Sequence, residues 1–177
     1  MNLEQRCRPI ELILSDVDGV LTDGSIIYDN NGVETKHFNA RDGQGINMWR
    51  RAGYQFGIVT LRCSKLVERR CADFNVTLIR QGFEDKLPAA RELAAEIGLG
   101  DEQLCYLGDD LPDLPVVSRV GLGVAVADAC PELCAAAGMV TRLAGGRGAV
   151  RELIEQLLKA RGCWDNLIAS YRGDGIA

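Results

Sequence analysis

The sequence predicts an α/β protein, a Rossmann-like parallel sheet with helices on both faces. Short apolar runs rich in branched residues alternate with segments in which apolar residues return every three or four positions. The alternation has the spacing of βαβ units, and no repeat or low-complexity linker interrupts it. The 177 residues are 47% hydrophobic, and a chain of that length buries roughly 70% of its unfolded surface without disulfide or zinc staples. One domain over 1–177 is expected. In such a sheet ligands bind beyond the carboxyl ends of the strands, so the residues just after each apolar run are the candidates for chemistry.

The first run, Leu12-Ile13-Leu14, reads as a buried strand. Residues 25–38 then break the alternation: an Asn31-Gly32 turn signal between two short β-prone runs predicts a hairpin inserted after the first strand. Strands are expected over 56–59, 76–79, 104–107, 120–127 and 138–141, and helices over 43–52, 64–74, 86–97, 113–119 and 148–160. In the last helix Val150, Leu153, Ile154, Leu157 and Leu158 form one apolar stripe. Residues 162–177 are less regular and are expected to be a mobile tail.

Composition narrows the chemistry. With 20 Lys+Arg against 25 Asp+Glu and a net charge of −5, a nucleic-acid groove or an anionic membrane surface is not the expected partner. A single histidine, His37, excludes sites that need two imidazoles, HExxH zinc centres among them. The seven cysteines are odd in number and contain no CxxC pair; they read as mostly buried thiols of a reducing cytosol. The first residues, with a polar start and a short apolar run ending in acids, match neither a signal peptide nor a transit sequence. No apolar stretch approaches the ~20 residues of a membrane span. A cytoplasmic setting is the expectation, with carboxylates as the abundant chemical resource.

After the first strand comes Asp16-Val17-Asp18-Gly19-Val20-Leu21-Thr22-Asp23-Gly24. Two carboxylates at i and i+2 leaving a buried strand are costly unless a cation binds them; alone, they would serve equally as turn or capping aspartates. Three later strand ends supply company: Thr60 with Arg62, Lys86 at a helix start, and Gly108-Asp109-Asp110-Leu111-Pro112-Asp113. Acids on two strand ends, a hydroxyl and a lysine are components for holding Mg²⁺ together with a phosphate.

This ordered set, over about residues 10 to 160, resembles the haloacid dehalogenase (HAD) superfamily of phosphatases. Phe38-Asn39-Ala40-Arg41-Asp42-Gly43, Val124-Ala125-Val126-Ala127-Asp128-Ala129 and Ala144-Gly145-Gly146-Arg147-Gly148-Ala149-Val150-Arg151 narrow the resemblance to the 3-deoxy-D-manno-octulosonate (KDO) 8-phosphate phosphatase family. That resemblance implies a HAD fold without a cap domain, a Mg²⁺ cofactor, a homotetramer joined through its hairpins, and a role in lipopolysaccharide biosynthesis. The tail of one subunit could then cover a neighbour's site. By motif position Asp16 would be the nucleophile, and Asp18 the proton donor that later activates water. Asp16, the Asp18 main-chain carbonyl and Asp109 would bind the metal, with Asp110 or Asp113 organising them; a helix-capping acid would look the same at Asp113. Thr60 and Lys86 would bind phosphate. Arg62 would bind the substrate carboxylate, which favours the eight-carbon sugar over a nine-carbon keto acid phosphate, whose phosphatases tend to carry an acid there. Arg41 and Asp42 match a segment near the substrate mouth, although an ion pair at a helix start would look alike; His37 is expected in packing or an interface. Where the family has Thr-Gly-Arg, this chain has Thr60-Leu61-Arg62. A non-catalytic oligomerisation module of the same fold would have no reason to keep so many clustered acids.

Overall fold

The computed structural model describes residues 2–172. A short helix α1 (Leu3–Cys7), closed at its start by a reciprocal Asn2/Gln5 capping box, leads into β1 (Leu12–Ser15). The hairpin follows as β2 (Ile27–Tyr28) and β3 (Glu34–Thr35). The chain continues through α2 (Ala40–Arg51), β4 (Gln55–Thr60), α3 (Lys65–Ala72), β5 (Leu78–Gln81), α4 (Lys86–Glu96), β6 (Leu104–Gly108) and α5 (Leu114–Val117). It ends with β7 (Leu122–Ala125), α6 (Pro131–Ala136), β8 (Met139–Val140), α7 (Ala149–Ala160) and α8 (Trp164–Arg172).

Six strands form one parallel sheet in the order β5-β4-β1-β6-β7-β8, and β2 pairs only with β3. β1 is central, with Leu14 opposite both Gly57 and Tyr106. The chain winds outward from β1 to one side through β4 and β5, then crosses back to β6. The carboxyl end of β1 is therefore the switch point where a crevice opens. Two apolar layers sandwich the sheet. Ile13, Trp49, Phe56, Leu153 and Leu157 pack on one face under α2 and α7, and Leu12, Leu14, Leu93, Tyr106 and Val117 on the other under α4 and α5. All six predicted strands and all five predicted helices are present, and among the described residues no cap domain covers the strand ends, only the hairpin reaching over them.

The tail departs from expectation. Residues 164–172 form α8, whose Leu167 is buried and whose Tyr171 hydroxyl takes a hydrogen bond of 2.5 Å from Gln44. Trp164 lies under the cations of Arg151 and Lys159, so contacts to α2 and α7 order a segment whose isolated pattern is weak. The rest of the expected mobile tail, 173–177, lies outside the described residues. The thiols also differ: Cys7, Cys71 and Cys105 are buried, Cys130, Cys134 and Cys163 half-buried, and Cys63 exposed, all of them free. Among the described residues no helix is long and apolar enough to cross a membrane.

Candidate active site

The site is assembled where four parallel strands end. Asp16 follows β1; its Oδ1 accepts the Val17 amide at 2.6 Å and its Oδ2 the Lys86 ammonium at 2.5 Å. Lys86 is the first residue of α4 and is 1% exposed. It also donates to Asp113 Oδ1 at 2.6 Å, so one ammonium bridges two acids brought from different loops. Asp113 is committed on both oxygens. Oδ1 also meets the Tyr106 hydroxyl at 2.9 Å, while Oδ2 accepts the Asp109 and Asp110 amides at 2.9 and 3.4 Å. Carboxylate oxygens of Asp16, Asp109 and Asp113 come within 4.8 Å of one another. Asp110 is exposed and bonds its own Oδ1 to the Leu111 amide, shaping the turn at 2.8 Å.

Two glycines make this proximity possible. Gly19 has φ +86, a left-handed conformation, and a Cβ there would sit 2.0 Å from Asp109 Oδ2. A Cβ on Gly108 would sit 2.4 Å from Asp113 Cγ. The glycines in the Asp-x-Asp-Gly and Gly-Asp-Asp motifs are thus spaces for carboxylates.

Crowded acids show in their ionisation. Burial, then Asp113, raises Asp16 above the usual carboxylate range against the pull of Lys86. Burial, then Asp16 and Asp113, raises Asp109 to about 7. Burial pulls Lys86 down, but Asp16 and Asp113 outweigh it and keep the amine protonated. The donor set is all oxygen and hard, the kind Mg²⁺ takes. Asp16 and Asp109 are the carboxylates with capacity to spare, since Asp113 is spent on protein donors.

Thr60 ends β4 and is buried, and its carbonyl accepts the Gly82 amide that starts the loop toward Lys86. Leu61, in the place of the family's glycine, is 41% exposed, and Asn75 is the only described residue other than glycine with positive φ. The side chain therefore enters solvent without strain. Asp18 and Arg62 belong to a separate layer supplied by the hairpin. Asp18 Oδ1 accepts the Lys36 ammonium, and Arg62 Nη2 donates to Glu34 Oε1 at 2.7 Å and to the Tyr28 hydroxyl at 2.8 Å. Glu34 Oε2 accepts the Ser64 hydroxyl at 2.7 Å, the leading cause holding Glu34 below its ordinary pKa. Glu34, Lys36, Ser64 and Tyr106 belong to none of the sequence motifs. The Glu34-x-Lys36 spacing, which puts both side chains on one face of an extended segment, was the available signal.

Arg41 and Asp42 are not brought to the acids. Arg41 is exposed and shares a surface recess with Arg142, Arg147 and Arg151 near the start of α7. Asp42 is buried between α2 and α7, where its Oδ1 accepts the Arg151 amide at 2.8 Å and caps α7 from a neighbouring helix; its Oδ2 has no partner. His37 is exposed on the hairpin, outside the packing of this chain. Burial raises the Asp42 carboxyl to about 6, against the Arg151 and Gly148 amides. A folded pKa above the unfolded value means that ionisation costs stability, and the cost grows as pH rises from about 4 through 6. Asp42→Asn keeps the acceptor; thermal melts are expected to show it more stable than wild type at pH 8 by about 1–3 kcal/mol, with the gain gone below about pH 4.

Residues 70–153, the stretch that carries Lys86, Asp109 and Asp113, match the family described as haloacid dehalogenase-like hydrolase. The 3-deoxy-D-manno-octulosonate 8-phosphate phosphatase KdsC of Escherichia coli (strain K12) is 50% identical over 156 residues, 88% of this chain and 83% of that protein. The chain belongs to the 3-deoxy-D-manno-octulosonate 8-phosphate phosphatase family. Among solved structures, the phosphatase of that name from Moraxella catarrhalis, in complex with magnesium ion, phosphate ion and KDO, superposes with a TM-score of 0.93 at 40% identity, covering 95% of this chain and 97% of that one. The cobalt-bound form of the Haemophilus influenzae deoxy-D-mannose-octulosonate 8-phosphate phosphatase gives 0.91 at 38%, covering 96% and 99%.

Proposed function

We propose that this protein hydrolyses KDO 8-phosphate to KDO and inorganic phosphate, supplying the sugar acid for lipopolysaccharide. The observation that carries this reading is the Lys86 ammonium shared by Asp16 and Asp113 beside Asp109 at the sheet's switch point. Asp16 is the nucleophile: it attacks phosphorus, the bond to the sugar oxygen breaks, and an aspartyl-phosphate forms on its carboxylate. Asp18 gives a proton to the leaving oxygen and takes one from the water that cleaves the intermediate. Thr60 and Lys86 hold the phosphate, and Lys86 supplies a compact point charge. Arg62 Nη1 makes no hydrogen bond, only a 3.7 Å ion pair to Asp18 Oδ2, and would serve the substrate carboxylate. Asp16, the Asp18 carbonyl and Asp109 would hold Mg²⁺, with Asp113 keeping the Asp109 backbone in place and Asp110 shaping the turn. When bound, Mg²⁺ shields the nucleophile from the phosphate and draws off charge from its oxygens.

The hairpin exposes Ile26, Ile27, Tyr28 and Val33, and a ribbon of two short strands gains stability by pairing with other copies. We read this as the contact of a homotetramer, working in the cytoplasm. Light scattering on Ile27→Asp combined with Val33→Asp is expected to give smaller assemblies than wild type. Metal binding is expected to depend on pH. Asp109 must lose its proton to act as a ligand, and with a value of about 7 in the metal-free protein, Mg²⁺ affinity should fall about tenfold from pH 8 to pH 6. Calorimetric titration at the two values reads this directly; equal affinities would show that no ligand carboxylate titrates between them.

A further inference from the structure

We infer that Lys36, on the hairpin, is a positioning residue that fixes which oxygen of Asp18 faces the leaving group, an inference that rests on the proposed role of Asp18 as proton donor. Glu34 and Lys36 turn one face of the extended segment onto the strand ends. The Lys36 side chain is 2% exposed, less than either carboxylate beside it. Its ammonium donates to Asp18 Oδ1 and lies 3.4 Å from Glu34 Oε1. Arg62 closes a ring of alternating charge, with Nη2 on Glu34 and Nη1 3.7 Å from Asp18 Oδ2. Removing an ammonium from water is costly unless it is paired and hydrogen-bonded. The hairpin base is already fastened by Glu34 to Arg62 and Ser64. Lys36 adds the contact to Asp18.

The consequence is specific to one atom. An ammonium has only donors, so Asp18 Oδ1 is held as an acceptor and cannot carry the proton toward Lys36. Oδ2 takes no hydrogen bond from any described residue, so it is the oxygen left to face the leaving group with the proton that the proposed role requires. As the phosphorus bond to Asp16 forms, the sugar oxygen leaves with that proton and Asp18 is left as a carboxylate, its Oδ1 still on Lys36. Proton delivery of this kind needs the donor held in near-attack geometry.

The test compares leaving groups in single turnovers with protein in excess and Mg²⁺ present. A sugar alkoxide needs the proton; the p-nitrophenolate of p-nitrophenyl phosphate leaves without it. Lys36→Met is expected to slow release of the sugar by at least about 30-fold and of p-nitrophenolate by less than about threefold. Asp18→Asn is expected to show the same split, and its failure to do so would overturn the role of Asp18 itself. With that split present in Asp18→Asn, a Lys36→Met protein that slows both substrates equally, or neither, overturns the inference alone. Should Lys36→Met not fold, Lys36→Gln is read by the same comparison.

Discussion

Asp16→Asn is expected to lower phosphate release by at least about 10⁴-fold without lowering thermal stability. The amide that replaces the carboxylate is a poor nucleophile and a poor cation ligand, so the chemical step fails. Stability should follow the opposite logic. Burial and Asp113 hold Asp16 above the ordinary carboxylate range, so its ionised form at neutral pH is a cost to the metal-free fold, and the neutral amide removes it. A melt at pH 7.5 together with a phosphate assay separates the two effects. Retained activity would end the aspartyl-phosphate mechanism.

Lys86→Met is expected to damage both activity and fold. The ammonium is the shared partner of Asp16 and Asp113; removing it leaves crowded acids without their cation, at a cost of about 3–5 kcal/mol. For a chain of this size that is a fall of roughly 10 °C in Tm. Catalysis should drop by about 10³-fold or more through loss of the proposed phosphate ligand. Mg²⁺ is the other cation that can sit among these acids, so its addition should raise the Tm of Lys86→Met more than that of wild type. A variant whose Tm ignores Mg²⁺ would show that the acids and the metal do not share one site.

The central strand and the four motif-bearing loops were legible in the sequence because each signal is local. An apolar run ends in Asp16 or Asp109, and Asn31-Gly32 marks a tight turn. α7 carries its stripe within one helix. What stayed hidden depends on contacts between distant segments. Asp42 sits in a motif beside Arg41, yet α7 crosses over α2 and makes it a cap for the Arg151 amide. Helix α8 has Trp164, Leu167, Ile168 and Tyr171 at helical spacing, but the pattern is short, and its order comes from α2 and α7. α6 begins with Pro131, a favoured first-turn residue, inside a segment whose apolar periodicity is slight. Lys36 and Glu34 looked like ordinary hairpin charges because nothing local indicates that the hairpin folds back onto Asp18 and Arg62.

Phosphate release measured with KDO 8-phosphate against a panel of sugar phosphates, with and without Mg²⁺, tests most directly the magnesium-dependent attack by Asp16 on one sugar acid phosphate. The expected result is the highest kcat/KM for KDO 8-phosphate, above the nine-carbon keto acid 9-phosphate, with turnover lost in EDTA and restored by Mg²⁺. A higher kcat/KM for another phosphate, or full turnover in EDTA, would contradict it.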